Sequence, residues 1–267
     1  MLLSSQFRAI SLFLMLLLAA LSAPAAFGQE DAEKDPAALA DKLMEALGGQ
    51  EAWNNARYIR FNFFGNRLHY WDKWTGRHRV QGKTRSGDEF VVLHNINTRE
   101  GEAWVNGEKQ EGEEAQDWLE RAYGMWVNDT YWLVMPYKLK DPGVHLAYAG
   151  QEEVDGTTYD KVLLTFESGV GLTSGDRYWA YLNPDTGLMD RWAYILESNQ
   201  DEDPEATVWN WTDWQSYGGI MLAGRRSSPD GSRSAELSHI AVYDQLPDSV
   251  FQSPDPVEGQ GAVEEEG

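Results

Sequence analysis

Apolar positions along the chain change their period three times. After residue 35, Leu39, Leu43, Met44 and Leu47 fall on one helical stripe. Asp35 is placed to cap this helix, Pro36 to start it, and Gly48-Gly49 to end it through a left-handed turn. A second helical turn over 50–55 carries Trp53 toward the first strand. From Arg57 onward the period becomes two, which predicts strands over 58–64, 68–74, 78–84, 90–96, 103–105, 144–148, 159–166, 177–182, 188–196, 207–215, 220–226 and 233–243. Turn pairs such as Gly65-Asn66, Thr75-Gly76, Asn106-Gly107, Asp155-Gly156 and Asp230-Gly231 separate them and accept positive φ. Sequential hairpins of this kind build an antiparallel meander, not a parallel α/β sheet. One stretch, 113–134, returns to helical spacing with Trp118, Leu119, Ala122, Tyr123 and Trp126, before Pro136 stops it. The expected fold is mainly β with a few helices: a single curled antiparallel sheet, an incomplete barrel, covered on its concave side by those helices.

The first 28 residues follow a different logic. One basic residue, Arg8, precedes an apolar run over 9–21, and Ala23-Pro24-Ala25 offers a small-residue cleavage site. This is the layout of a secretory signal peptide, too short for a comfortable membrane span. Its loss removes one arginine and no acid, taking the net charge from −21 to −22. Residues 29–35 form an acidic lead, 36–252 one domain, and 253–267 a disordered acidic tail with three glutamates before its last glycine. No later apolar run is long enough to span a membrane, so no transmembrane segment remains after cleavage. The chain has no cysteine, which excludes disulfides, thiolate metal sites and cysteine nucleophiles. Export without disulfides points to the periplasm of a Gram-negative-type bacterium. With 43 acidic residues against 22 basic ones, nucleic acid is excluded as a partner.

Catalytic and metal chemistry finds little purchase. His69, His78, His94, His145 and His239 are spread over five strands without a helical His-x-x-x-His pair, so no metal or cofactor is expected. No Gly-x-Ser-x-Gly elbow occurs, although a triad can assemble in space from distant positions. The glycines at 169, 171 and 175 precede a strand rather than a helix, which fits a flexible connection better than a phosphate loop. Asp201, Glu202, Asp203 and Glu205 lack the spacing of a calcium loop and read as a solvated turn. A two-residue turn at Thr75-Gly76 would set Asp72 opposite Arg79 as a structural or anchoring pair.

Aromatic residues are the excess: 12 Trp, 12 Tyr and 9 Phe. Indoles suit a core, a sugar platform, or the wall of a lipid-sized cavity. Three functions follow. The first is an apolar cavity for a lipid, acyl chain or similar amphiphile. The second is an exported carbohydrate-binding or glycoside-active protein, which would need two facing carboxylates. The third is a structural envelope protein without a small ligand.

The segments 156–165 (GTTYDKVLLT), 177–191 (RYWAYLNPDTGLMDR) and 240–251 (IAVYDQLPDSVF) resemble the outer-membrane lipoprotein carrier (LolA/LolB-like) superfamily. Residues 46–49 (ALGG) with Trp53, 70–72 (YWD), 135–139 (MPYKL) and 141–143 (DPG) look like an uncharacterised bacterial branch of it. The resemblance covers about 36–256 and implies an incomplete barrel around helices, with a cavity for lipid or lipoprotein acyl chains. With no catalytic motif in the chain, the expected protein is a non-catalytic, monomeric binding or carrier protein. Trp118, Trp126 and Trp132 are then the expected helix-side lining, and Trp71, Trp179, Trp192 and Trp211 the sheet-side lining. Arg60, central in the first strand, is the candidate for a carrier's basic residue. The strong negative charge departs from what hand-off between standard carrier partners would suggest.

Overall fold

The computed structural model describes residues 34–202 and 205–257. The predicted signal peptide, Asp203 and the last ten residues of the predicted tail lie outside the described residues. Two helices open the chain, α1 (Pro36–Ala46) and α2 (Gly49–Asn55). Asp35 caps α1 by accepting from the Ala37 amide at 2.9 Å, and Pro36 occupies the first turn. Leu39, Ala40 and Leu43 are buried along the predicted stripe. Gly48, at φ +110°, makes the break, and a Cβ there would lie 2.3 Å from the Gly219 carbonyl oxygen.

Thirteen strands follow in one antiparallel sheet. The first six are β1 (Tyr58–Phe63), β2 (Arg67–Asp72), β3 (Arg77–Lys83), β4 (Glu89–Asn95), β5 (Gly101–Val105) and β6 (Glu108–Lys109). Helix α3 (Gly112–Val134) and a 3-10 turn, Met135–Lys138, come next. The remainder are β7 (Val144–Val154), β8 (Thr157–Phe166), β9 (Arg177–Leu182), β10 (Met189–Ile195), β11 (Thr207–Tyr217), β12 (Ile220–Ser227) and β13 (Ser234–Tyr243). The spatial order is β6-β5-β4-β3-β2-β1-β13-β12-β11-β10-β9-β8-β7. The chain therefore winds outward from β1 to one edge, crosses by α3 to the other edge, and winds back until β13 pairs with β1. Because β6 and β7 stand at opposite edges, the sheet is not closed. Two features exceed the predicted elements. The two-residue strand β6 is added, and β7 runs on to Val154 because a bulge at Gly150, φ +81°, absorbs an extra residue without ending the ladder.

Helices α1 and α3 lie on one face, the inner face. There Leu43, Leu47, Leu133 and Met135 join Ile59, Phe61, Leu164, Ala180, Trp192 and Leu222 in the main core. A smaller cluster packs Leu119 and Ala122 of α3 on Val80, Phe90, Val92 and Ala103. Over β1–β4 the outer face is covered too, by the C-terminal segment: Val250 is buried, Phe251 stacks on Tyr58, and Arg77 lies over Phe251. Ser253, Pro254 and Asp255, which composition assigned to the tail, present their carbonyls to Arg79.

The expected Asp72–Arg79 pair does not form. The turn between β2 and β3 takes four residues, 73–76, so Trp71 pairs with His78 and Tyr70 with Arg79. Asp72 caps that longer turn through the Trp74 amide and Thr75 Oγ1, and binds Arg57 and Arg77. Arg79 instead donates to Gln81 and to four backbone carbonyls of the C-terminal segment. The two residues share a face but stand two positions out of register.

Candidate functional site

A cleft of about 640 Å³ opens between the C-terminal half of α3 and the inner face of β7–β10. This size is typical of sites for small organic ligands. Trp126, Tyr131 and Trp132 line it from α3, Phe166, Tyr178, Trp192 and Tyr194 from the sheet, and Trp71 of β2 closes one end. The rings brace one another edge to face: Trp132 on Trp192 at 4.9 Å, Tyr131 on Tyr178 at 5.2 Å, and Trp71 on Trp126 at 5.6 Å. At the rim, the glycine-containing connection between β8 and β9 contributes Val170, Gly171, Leu172 and Thr173. Leu172 is 58% exposed there, an apolar side chain held in water beside an apolar opening.

Polar groups in the cleft are few. Lys138 and Asp141 form an ion pair at 2.5 Å. Asp176 accepts from Thr173 Oγ1, the Tyr178 hydroxyl and the Glu197 amide at 2.7–3.1 Å. Burial pushes the Tyr131 and Tyr178 phenols up, so both stay neutral. Trp71 Nε1, Trp126 Nε1, Trp192 Nε1 and the Tyr131 hydroxyl are buried with no partner among the described residues. Each such group costs about 1–3 kcal/mol to leave unpaired. Beneath the cleft, Arg226 of β12 is fully buried over the Trp211 ring and donates to the Trp132 carbonyl, which ties the end of α3 to the sheet.

Of the sequence candidates, Trp71, Trp126, Trp132 and Trp192 meet in this cleft. Trp118 does not; it stacks on Phe90 beside the smaller cluster. Trp179 alternates to the outer face, opposite Ala180 and Trp192. Trp211 is on the inner face but wholly buried, 5.2 Å from Trp192 in the layer below. Arg60 also faces outward, donating to the His239 carbonyl and lying over Tyr243. Tyr131, Tyr178, Tyr194 and Phe166 are not among the predicted lining residues, and 170–173 is predicted only as a flexible connection. Their signal was alternation within β8–β10, which places Phe166, Tyr178 and Tyr194 on the face of Trp192.

A second constellation was read as scatter. Three of the five histidines stand on adjacent strands of the inner face. His69 Nδ1 is 3.0 Å from His78 Nε2, and His78 Nδ1 is 2.7 Å from His94 Nε2. His69 Nε2 lies 2.9 Å from Asp129 of α3, whose carboxylate also receives both arms of Arg67 at 2.7 and 2.9 Å. The ring nitrogens are chained end to end. Among the described residues no three such ligands converge on a point able to hold a metal. Burial holds all three histidines below their ordinary pKa, His94 at about 4, while the hydrogen bonds of His69 and Arg67 outweigh burial and keep Asp129 ionised.

No family model matches the chain, and no curated protein matches it. Solved structures with a similar course include a DUF1329 family protein from Desulfovibrio piger, at a TM-score of 0.45 and 14% identity over 82% of this chain and 98% of that one. A LolA superfamily protein from Nitrosomonas europaea gives 0.41 and 13% identity over 78% and 96%. A putative outer-membrane lipoprotein-sorting protein domain from Vibrio parahaemolyticus gives 0.40 and 9% over 79% and 97%. At this level of similarity none of them assigns a ligand to the cleft. Among the described residues no helix is long and apolar enough to cross a membrane.

Proposed function

We propose that the protein is a non-catalytic, exported binding protein of the periplasm, whose cleft takes the apolar part of a lipid, an acyl chain or a similar amphiphile. The observation that carries this reading is the aromatic cleft of about 640 Å³, open at a rim where Leu172 faces water. Each methylene moved from water into such a wall contributes about 0.8 kcal/mol. The unpartnered indole and phenol donors favour a ligand that brings oxygen acceptors, such as an ester or acid, over a plain hydrocarbon. The carbohydrate-active reading has less support, because the cleft's Asp141 and Asp176 are already engaged with Lys138, Thr173, Tyr178 and the Glu197 amide.

Native mass spectrometry of protein taken from its own cell envelope tests this directly. Co-purified lipid that exchanges with added fatty acid is the expected result. An empty protein whose tryptophan fluorescence responds to oligosaccharides and not to lipids overturns it. Leu172→Asp should weaken binding of the uncharged fluorophore N-phenyl-1-naphthylamine about tenfold, roughly the loss of one apolar rim contact. The melting temperature should not move, because the side chain is exposed.

A further inference from the structure

The chain Arg67–Asp129–His69–His78–His94 crosses from helix α3 through three strands, and all five side chains meet at hydrogen-bonding distance. Its polarity can be derived. The ionised Asp129 is acceptor-only, so His69 Nε2 must carry a proton. In a neutral ring Nδ1 is then bare and accepts from His78 Nε2–H. The same step repeats from His78 to His94. At the far end His94 Nδ1 is left bare and buried, without a donor among the described residues. Burial favours the neutral rings this polarity requires, and every N–H then points toward Asp129.

Such a chain has room for one more proton, on His94 Nδ1, with no hydrogen bond lost. A second extra proton must put two N–H groups into one of the ring-to-ring gaps of 3.0 and 2.7 Å, which breaks that link. Even the first proton leaves two cations, counting Arg67, against the single carboxylate of Asp129. Among the described residues no carboxylate other than Asp129 is hydrogen-bonded to the rings, although Glu100 and Glu102 line the small cleft that His94 borders. Strand β1 stacks Phe61 on His69, β5 sets Gly101 opposite His94, and the charge of Arg99, in the turn after β4, opposes protonation of His94. Asp129 sits between Asn128 and Thr130, within the very stretch of α3 that forms the cleft wall.

We infer that this histidine chain is a proton-operated latch, which holds α3 against the sheet near neutral pH and releases it on acidification, opening the cleft. Histidines freed from the chain regain an ordinary pKa near 6.5, above their value when latched. Protons therefore bind the released state more tightly, and the latch weakens as pH falls from about 6.5 toward 4. Its role in ligand release rests on reading the cleft as a binding site; the latch itself does not.

Hydrogen exchange on the full chain, corrected for the intrinsic rate, decides the matter. Amides over 126–132 should lose protection about tenfold or more between about pH 7 and pH 4.5 while β11–β12 stay protected. The double variant His78→Leu/His94→Leu should shift that opening to lower pH by about one unit or more, because two of the three titrating rings are gone. His145→Gln, outside the chain, should leave it in place. Uniform protection of 126–132 across this range overturns the latch, as does an unchanged midpoint in the double variant. Should that variant fail to fold, imidazole NMR of the wild type serves. Three coupled rings in the Nε2–H form near neutral pH support the latch; independent titration near 6.5 overturns it. Binding of N-phenyl-1-naphthylamine, measured alongside, separates the two proposals. An acid-released α3 with no probe binding at any pH upholds the latch and removes the ligand reading; unaltered probe binding with a protected α3 does the reverse.

Discussion

Two buried charged residues carry much of the specificity of the sheet's outer face. Asp72 is fully enclosed by Arg57, Arg77, Thr75 and the Trp74 amide. Burial alone would raise its pKa, but the hydrogen bonds from Arg57, Arg77 and Thr75 outweigh it and bring the value down to about 2. A depressed carboxylate stabilises the fold above its unfolded pKa and loses that contribution as pH falls. Asp72→Asn should therefore cost about 2 kcal/mol near neutral pH, and the gap to wild type should close between about pH 4 and pH 2, as read by urea titrations. Arg79 is the other anchor. Its replacement by Ala strands the carbonyls of Val250, Ser253, Pro254 and Asp255, and limited proteolysis should then cut after residue 247 well before the sheet is touched. Equal resistance in both proteins would count against the clamp.

At the scale of elements, the break between α1 and α2 offers a clean comparison. Gly48 and Gly49 both have positive φ, at +110° and +89°. A methyl at Gly49 meets nothing within 4 Å, so Gly49→Ala should cost only the left-handed backbone strain, roughly 1–2 kcal/mol. At Gly48 the new Cβ collides with the backbone carbonyl of Gly219, in the turn before β12. Gly48→Ala should be clearly worse in thermal melts, because α1 can no longer seat where the Leu47 carbonyl receives the Met221 amide. Helix α3 shows the opposite design. Its first half packs on β4 and β5, its second half forms the cleft wall, and Asp129 is the polar tie between them and the sheet. Asp129→Asn leaves Arg67 without its charge partner and should destabilise the protein by about 3–5 kcal/mol.

For the whole molecule, a net charge of −21 acts against compaction. Added sodium chloride, from about 0.01 to 0.15 M, should raise the melting temperature by screening that repulsion; a fall would mean that ion pairs such as Arg77–Asp248 dominate. The fold itself was largely legible. Alternation and turn pairs located nearly every strand, because each side chain's face follows from its parity within the strand. The cleft was legible only in part. Trp71, Trp126, Trp132 and Trp192 could be named as cavity candidates, but Trp179 carries the same indole on the opposite parity, and Trp211 lies one layer too deep.

By itself the sequence determined the antiparallel meander and the helices before and within it, since these depend on local period and turn chemistry. Only the tertiary structure decided which distant residues meet. A four-residue turn instead of two separated Asp72 from Arg79. The inner-face registers of β2, β3 and β4 joined histidines 9 and 16 positions apart into one buried chain. Helix α3, crossing from one sheet edge to the other, brought Asp129 onto that chain and Trp126 and Trp132 onto the cleft. Register and crossover are set by the packing of the whole, so no local pattern encodes them.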